Sequence, residues 1–446
     1  MLHMAPTGPR WGRSRSRPGP VGVPSGSPGV HDVTALLPET IIDTPGGSGD
    51  TGQVGLDTGS REAPARVGPR RWAGLGPLVR PCGYYLASRV AVLFAALASQ
   101  WLVPRIHPWR LLGTGWDGSW YTKIAQYGYP HHIFNEDDGS RWAFFPGFPA
   151  AIRGTHILTG LSYADAGVLA GTVLGLTSAI AVWLAIREVF GSVVADRSVL
   201  VYVFFPAAYV LSMAYSEGLF ITAAAGCLFA LSRRYWITAS LLAVVGSLTR
   251  NFGVLLVVCV AVAAVPCIVR QHQRRPLVAL MISPLGFVGW LAYSWHMTGT
   301  PLAFLKAEQI WGDSHFVWFT APISAVSRLV TTHDFSMGAD VLAACGFLFA
   351  YVGLSILWRT RREGVSVPLH WWVFTVGSVL AMASPSSEQG ILRYSLVAFP
   401  LFAAFAWKIR PTWEGAIAGT MGFMQGALAL VIFVEALHPF TANLWP

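Results

Sequence analysis

The sequence predicts an all-α membrane protein, a polytopic bundle of about 11–12 transmembrane segments preceded by a disordered tail. First, the 446-residue chain is 53% hydrophobic and only 12% charged, with a mean hydropathy of +0.50, whereas soluble domains carry about 25% charged residues. Second, stretches such as FGVLLVVCVAVAAVPCIV (252–269) and GAIAGTMGFMQGALALVIFV (415–434) approach the ~20 residues that a helix needs to cross the hydrocarbon core. Third, the arginines gather in short clusters between apolar stretches, as in cytoplasmic loops of membrane proteins.

Residues 1–75 differ from the rest of the chain in composition. They are rich in Gly, Pro, Ser and Arg and show neither helical nor strand periodicity, which is typical of disorder. Arg70, Arg71 and Arg80 lie just before the first span, so we expect this tail in the cytoplasm. Residues 76–446 are then predicted to form one membrane domain.

The basic clusters fix the expected topology of the membrane domain. With the clusters placed inside, the loops 105–142 and 298–338 face outward. Segment 143–160 contains two prolines and Arg153, so it is a candidate for a short, broken or re-entrant helix, and eleven or twelve crossings both remain open. The apolar segments cover roughly residues 84–104, 143–160, 165–187, 198–213, 215–231, 235–250, 252–269, 277–297, 339–358, 368–384, 392–407 and 413–436.

A carboxylate, Asp117, stands between two tryptophans in GTGWDGSWYTKIAQYGYP (113–130), where the chain leaves the first span. Such a residue is costly at a membrane unless water, a cation or a reaction requires it. The aromatic residues around it predict a short amphipathic helix at headgroup depth. Two interpretations stay open: Asp117 takes part in chemistry, or it only caps the helix that follows.

Other charged residues cluster at the outer ends of apolar segments. A membrane protein that gathers acids and bases on one face builds a wet polar cavity there, although each residue alone also fits a structural ion pair or a snorkelling side chain. Arginine and lysine hold phosphate oxygens by charge-assisted hydrogen bonds, and a carboxylate accepts a proton from an attacking hydroxyl. These groups together favour transfer from a lipid-phosphate donor. They are Glu217, Arg250, Lys306, Glu308, Asp313 and Arg393.

Six motifs occur in an order that resembles the PIG-V-type mannosyltransferases of the GT-C class of membrane glycosyltransferases. They are WDGSWYTKIAQYGYP, RWAFFPGFP, AYSEGLF, SLTRNFG, GTPLAFLKAEQIWG and ILRYSLVAFPLF, and the resemblance covers about residues 84–436. It implies a GT-C-like helix bundle with a catalytic acid in the first outer loop. It also implies a polyprenyl-phosphate sugar donor, mannosyl in this type, and inversion at the anomeric carbon.

The resemblance also implies roles for individual residues. The acid of the family's Trp-Asp motif corresponds to Asp117, which is therefore expected to be the catalytic base. The Ser-Arg-Asn-Gly pattern is only partly kept, because Phe252 is inserted before Gly253. Arg250, Arg393 and Lys306 are predicted to bind the donor phosphate. The predicted substrate-binding residues are Trp116, Trp120, Tyr121, Tyr215, Glu217, Glu308, Trp311 and Tyr394.

No cofactor is predicted with certainty. Asp117 together with His131, His132, Asp137 or Asp138 offers ligands for a divalent ion, but no ligand spacing is diagnostic, so solvated loop residues are favoured and no metal site is assigned. The expected partners are the polyprenyl-phosphate donor, membrane lipids, and a glycolipid, glycan or protein acceptor outside the cell membrane. No basic stripe interleaved with aromatics supports nucleic-acid binding.

Two other functions are compatible with the sequence. A transporter or flippase for a lipid-linked sugar requires a polar path through the bilayer, and the apolar segments offer little beyond Arg153 and His296 and no clear repeat. A catalytically inactive binding protein for envelope lipids is the other alternative. The retention of Asp117 argues against it.

Overall fold

The computed structural model describes residues 76–104, 107–133, 139–310, 317, 319–332, 338–384 and 390–435. These residues form α-helices and short 3-10 helices and include no strand. The predicted all-α class is therefore confirmed, and the predicted disordered tail lies outside the described residues. The α-helices are α1 Val79–Leu102, α2 Pro108–Thr114, α3 Asp117–Tyr127, α4 Gly147–Thr159, α5 Tyr163–Phe190, α6 Ser192–Phe204, α7 Glu217–Ser232, α8 Trp236–Ser247, α9 Val254–Val269, α10 Arg275–Ile282, α11 Leu285–Thr298, α12 Ala303–Ile310, α13 Ala321–Thr332, α14 Gly338–Arg362, α15 Leu369–Met382, α16 Ile391–Tyr394, α17 Pro400–Lys408 and α18 Glu414–Glu435.

Among the described residues, six helical stretches are long and apolar enough to cross a membrane. Three shorter apolar helices, α7, α8 and α15, accompany them. These lengths and compositions indicate a multi-pass membrane protein, as the sequence predicted. The six stretches are Gly76–Leu102, Tyr163–Phe190, Asn251–Val269, Arg275–Thr298, Asp340–Arg362 and Pro411–Val434.

Two predicted segments differ from straight crossings. Segment 198–213 is not one helix, because α6 ends at Phe204 and the 3-10 helix Pro206–Ser212 continues at an angle of 80°. Pro206 lacks the N–H that would continue α6. Segment 143–160 contains α4, whose 13 residues span only about 20 Å, less than the ~30 Å hydrocarbon core.

The charged residues divide the bundle into two ends. Helix α7 begins at Glu217 and ends beside Arg233 and Arg234, α8 returns to Arg250, and α9 starts there and ends beside Arg270. We call the end with Glu217 and Arg250 the site end, and the other the basic end. The ion pairs at the basic end are Arg80–Asp196, Arg197–Glu414, Arg233–Glu188 and Lys408–Glu363. This separation agrees with the charge asymmetry expected of a membrane protein.

Glycines of α5 allow another segment to come into backbone contact. A Cβ added at Gly171 would collide with the carbonyl oxygen of Met213, and one at Gly175 would lie 2.5 Å from the carbonyl oxygen of Leu211. Small residues permit this approach between helices in a membrane. The contact fixes residues 211–215 against α5, just before Glu217 opens α7.

The bend after α6 leaves backbone carbonyls that α1 and α18 satisfy. Arg89 donates to the carbonyl oxygens of Val203 and Ala208 at 3.2 and 2.9 Å. Gln425 donates to the carbonyl oxygens of Val203 and Phe205 at 3.0 and 3.2 Å. A broken helix is tolerated at membrane depth when such partners replace the lost bonds. The sequence singled out Arg153 and His296 as polar groups within the apolar segments, and both are exposed. Sequence reasoning did not single out Arg89, which bonds the broken segment.

Candidate functional site

Four charged residues from different segments form one connected network at the site end. Arg393 Nη1 donates to Asp117 Oδ2 at 2.7 Å. Arg393 Nε lies 3.3 Å from Glu217 Oε1, and Arg250 Nη1 donates to the same oxygen at 2.5 Å. The chain of contacts therefore runs Asp117–Arg393–Glu217–Arg250, and it joins α3, α16, the start of α7 and the turn after α8.

Asp117 is the first residue of α3, yet its carboxylate is directed across the bundle. Trp116, which precedes the helix, adopts φ 45°, a backbone conformation that is costly for any residue except glycine. No side-chain capping bond is made at this helix start, and the carboxylate accepts from Arg393 instead. In the described structure Asp117 is thus paired with Arg393, and its part in chemistry stays a prediction.

Glu217 is the buried centre of the network. Its side chain is 0% exposed, and one of its oxygens, Oε1, faces both Arg250 and Arg393. Its other oxygen, Oε2, is buried with no hydrogen-bond partner within the described part of the chain. A buried carboxylate is stable only when cations compensate it, and the two guanidinium groups provide that compensation.

Tyrosines and a serine enclose the two arginines. Tyr121 donates to Ser216 Oγ at 2.8 Å, and Arg250 donates to the same hydroxyl at 3.3 Å. Both guanidinium groups lie over the ring of Tyr394, at 5.1 Å for Arg250 and 5.0 Å for Arg393. Arg393 also lies 5.0 Å from the centre of the Tyr215 ring. These cation–π contacts fix the guanidinium groups further.

The network is electrically balanced, and one acid is accessible. Two carboxylates and two guanidinium groups carry formal charges that cancel. The side chain of Asp117 is 25% exposed, whereas those of Arg393 and Arg250 are 7% and 12% exposed. Among the members of the network, Asp117 is therefore the carboxylate that a solvent-borne molecule reaches first.

Helix α12 carries a third carboxylate, Glu308, near the network. Burial raises the pKa of Glu308 to about 7, and the positive charge of Arg250 opposes this shift. Lys306 of the same helix is exposed and forms no ion pair with the described residues. Its predicted phosphate contact stays a prediction, and Trp311 lies outside the described residues.

Aromatic residues join the segment between α3 and α4 to α11 and α12. Trp142 packs against Tyr129 and Trp290 with ring centres 4.8 and 5.4 Å apart, and Phe145 packs against Phe304 of α12 at 5.4 Å. These contacts hold α12, and with it Glu308, beside the segment between α3 and α4. Sequence reasoning missed this cluster because only its members in the WDG and FFPGFP motifs were conspicuous.

The predicted aromatic substrate contacts differ in accessibility. Trp116 and Trp120 are half-buried, and Trp120 stacks on Phe144 with ring centres 6.1 Å apart. The Lys123 ammonium lies over the Trp120 ring, 4.8 Å from the ring centre. Tyr121 and Tyr215, by contrast, are buried. The burial of these two tyrosines points to a role in shaping the site.

No group of three or more His, Cys, Asp or Glu side chains within the described ranges is arranged to hold a metal ion. Asp137 and Asp138, which the sequence offered as ligands beside Asp117, lie outside those ranges. His131 and His132 are exposed. The preference for solvated loop residues over a divalent-ion site stays a prediction.

No protein-family model matches the chain, and no curated protein matches it in sequence. Among solved structures, it is similar to ArnT from Cupriavidus metallidurans bound to undecaprenyl phosphate, with a TM-score of 0.46, 12% identity, and coverage of 80% of this chain and 76% of that one. It is also similar to the oligosaccharyltransferase of Archaeoglobus fulgidus in complex with Zn and sulfate, with a TM-score of 0.44, 14% identity, and coverage of 77% and 53%. The chain thus spans about half the length of that second protein. At these scores the similarity does not establish a shared family or activity.

Proposed function

We propose that the protein is a membrane glycosyltransferase that moves a hexose from a polyprenyl-phosphate donor to an extracytoplasmic acceptor with inversion. The family resemblance of the sequence motifs suggests mannose as the hexose. The observation that carries the proposal is the contact between Asp117 and Arg393, 2.7 Å long. It joins an accessible carboxylate to a cation in a network built from four of the motifs that suggested this chemistry.

In the proposed reaction, the acceptor hydroxyl oxygen attacks the anomeric carbon of the donor sugar. The new C–O bond forms as the bond from that carbon to the phosphate oxygen breaks, and the polyprenyl phosphate leaves with the electron pair. Asp117 accepts the hydroxyl proton as general base. A single displacement of this kind inverts the anomeric carbon and needs no covalent enzyme intermediate.

The arginines have a defined task in this reaction. Arg393, with Arg250 behind it, would stabilise the phosphate charge by preorganised charge-assisted hydrogen bonds. Lys306, exposed on α12, would add a third cation near the headgroup. Because Arg393 contacts Asp117, in this proposal the arriving phosphate competes for Arg393 and releases Asp117 to act as base.

The buried members of the network fit positioning roles. Glu217, Tyr121 and Tyr215 are inaccessible, so in this proposal they hold the arginines and Ser216 in place and do not touch the sugar. Direct substrate contact is left to the half-buried Trp116, Trp120 and Tyr394, to Glu308, and to Trp311. The aromatic faces suit the apolar face of a hexose ring.

The test is transfer of radiolabel from a synthetic polyprenyl-phosphate hexose by the purified chain in detergent. The acceptor is a membrane extract fractionated into glycolipid, glycan and protein. We expect Asp117→Asn to lower the rate by about 10²–10⁴-fold, the range of general-base contributions. Asp165→Asn is the matched control, because among the described residues Asp165 bonds Ser162 at the start of α5 and is not part of the network.

Near-normal transfer by Asp117→Asn would remove Asp117 from the mechanism. Label that crosses proteoliposome membranes without entering any acceptor fraction would identify a flippase. The acceptor class is read from the fraction that gains label. It is checked against the envelope glycans that shrink in a deletion strain.

A further inference from the structure

A cavity of about 450 Å³ opens at the basic end, opposite the network that contains Asp117. It lies between the ends of α5, α7 and α9 and the start of α15. Apolar side chains such as Val189, Val262 and Trp236 form much of its wall. Polar groups also line it: Glu188, Ser232, Arg234 and His370. The cavity therefore has the mixed surface that an amphiphile requires.

Hydrogen-bonding groups concentrate at one part of the cavity wall. His370 Nε2 lies 3.3 Å from Ser232 Oγ, and the indole of Trp371 donates to the same hydroxyl at 3.4 Å. Pro266 lies inside α9 and lines the cavity together with Val262. Because proline has no N–H, the carbonyl of Val262 lacks its usual donor four residues later. The Ser232 hydroxyl itself donates to the Leu228 carbonyl at 2.9 Å, so this part of the wall is polar and its groups bond one another.

Arg234 occupies a position that helices usually give to glycine. At the end of α7, the Tyr235 N–H bonds the Ala230 carbonyl at 2.8 Å, and the Arg234 N–H bonds the Leu231 carbonyl at 3.0 Å. These two bonds form a Schellman motif, whose left-handed residue is Arg234 with φ 58°. A glycine would adopt this conformation at lower cost. From this position Arg234 lines the cavity.

The charge at the cavity mouth favours an anion. Glu188 is the acid that lines it, and Arg233 neutralises this acid through an ion pair of 2.6 Å. Arg234 uses one donor toward Gln271 at 3.3 Å and has five donors in total. A phosphate group would therefore meet guanidinium donors that the protein has not already saturated.

The surroundings of the cavity indicate that the anion arrives on a lipid. Val265 and Val269 of α9 and Leu369 of α15 are 46%, 65% and 64% exposed, and they flank the cavity on helices that a membrane would surround. Basic residues at helix ends lie at headgroup depth. A phosphate-bearing headgroup in the cavity would thus leave its acyl chains against apolar side chains.

We infer that this cavity is a phospholipid site in which Arg234 binds the headgroup phosphate beside the polar wall that Ser232 and His370 form. The inference goes beyond glycosyl transfer and does not depend on it. The site belongs to the opposite end of the bundle from Asp117, so its occupancy is measured separately from activity.

The test is native mass spectrometry of the purified full-length chain after delipidation, titrated in detergent with defined lipids. The lipids are phosphatidylglycerol, phosphatidylethanolamine and diacylglycerol, and inorganic phosphate is added as a competitor. We expect both phospholipids to remain bound, diacylglycerol to be lost, and phosphate to compete weakly. Arg234→Gly should weaken phospholipid binding by about tenfold or more, and Arg234→Lys by less, because lysine keeps the charge without the guanidinium fork.

Thermal unfolding of the delipidated variants separates binding from folding. Arg234→Gly should unfold at the same temperature as the wild type or higher, because glycine relieves the left-handed backbone. His272→Gly is the matched control: His272 has φ 52° at the same end of the bundle but does not line the cavity, so lipid binding should stay unchanged.

Three results would overturn the inference. They are retention of phospholipid by Arg234→Gly at the wild-type level, equal binding of diacylglycerol and phospholipid, and displacement of lipid by millimolar phosphate alone. The last result would identify a site for a free anion. A fourth result, a loss of lipid binding in His272→Gly equal to that in Arg234→Gly, would also overturn it, because the effect would then come from the backbone at this end of the bundle.

Discussion

Arg250 and Arg393 come from segments far apart in the chain and share one oxygen of Glu217, at 2.5 and 3.3 Å. Two cations so close together are stable only because the carboxylate lies between them and is fully buried. The same arrangement leaves Arg393 able to contact Asp117 on its outer side. Glu217 thus links Arg250 to Arg393, and through Arg393 to Asp117.

Replacing Glu217 should therefore damage folding as well as activity. In Glu217→Gln the two buried arginines lose their compensating charge, and removing one partner of a buried ion pair costs about 3–5 kcal/mol. We expect a clear fall in the midpoint of thermal unfolding, followed by fluorescence-detected size exclusion in detergent. Transfer should fall in the same variant, because the arginines no longer have fixed positions.

Glu363→Gln provides the control for this experiment. Glu363 also accepts from a cation, Lys408, but both side chains are 40–47% exposed, and exposed pairs contribute about 0–1 kcal/mol. The unfolding midpoint of Glu363→Gln should remain close to that of the wild type. Equal shifts in the two variants would contradict the buried role assigned to Glu217.

The pairing of Asp117 with Arg393 predicts an opposite effect of one substitution on binding and on turnover. In Asp117→Asn the guanidinium of Arg393 loses its anionic partner, so it is free to bind phosphate. We expect polyprenyl phosphate to bind several-fold more tightly, roughly 3–10-fold for relief of one partly exposed charge contact, while transfer is lost. The measurement is a binding titration of polyprenyl phosphate by native mass spectrometry.

Two further variants make this binding experiment decisive. Arg393→Gln should weaken binding, because the phosphate loses its cation, and Asp165→Asn should leave it unchanged. If Asp117→Asn instead weakens binding as strongly as Arg393→Gln does, the proposal that Asp117 and the phosphate compete for Arg393 is wrong.

Much of the fold and of the site was visible in the sequence for physical reasons. Apolar length alone specifies membrane helices, and a charge next to an apolar run is costly enough to stand out. Asp117, Glu217, Arg250 and Arg393 were found in this way. Their pairing was not, because Asp117 and Arg393 are 276 residues apart and a motif does not indicate which partner its charge meets.

Two features were misjudged although the sequence contained a signal. Pro206 follows two phenylalanines within an apolar run, and it ends α6 where a single span was expected. Arg89 lies inside an otherwise apolar stretch, and it donates to the carbonyls that the break exposes. Each makes sense only with the other, since a buried arginine needs acceptors and a broken helix needs donors.

The titration of Glu308 predicts a pH dependence of donor binding. Burial raises the pKa of this carboxyl to about 7, so it is neutral below that pH and anionic above it. As the pH rises through 7, the new negative charge faces Arg250 and weakens the attraction of the site for an anionic phosphate. The affinity for polyprenyl-phosphate hexose, a phosphodiester whose charge stays constant over this range, should therefore fall as the pH rises, and the fall should be absent in Glu308→Gln.

A titration series from pH 5.5 to about 8.5, which brackets this pKa, checks the prediction, with Glu414→Gln as the control. Glu414 pairs with Arg197 at the basic end, so its variant should keep the wild-type profile. A profile for Glu308→Gln that matches the wild type would assign the pH dependence to another group.

The close approach of α5 to residues 211–215 predicts that one methyl group added far from Asp117 impairs the site. In Gly171→Ala the new Cβ meets the Met213 carbonyl, and because this atom belongs to the backbone the segment before Glu217 must move. Overpacking of this kind costs about 1–3 kcal/mol, and a displaced Glu217 should also lower transfer.

Gly419→Ala in α18 is the control, since nothing lies within 4 Å of its added Cβ and alanine favours a helix by about 1 kcal/mol. We expect Gly419→Ala to unfold at the same or a higher temperature with full transfer. Full transfer by Gly171→Ala would show that the position of Glu217 does not depend on this contact.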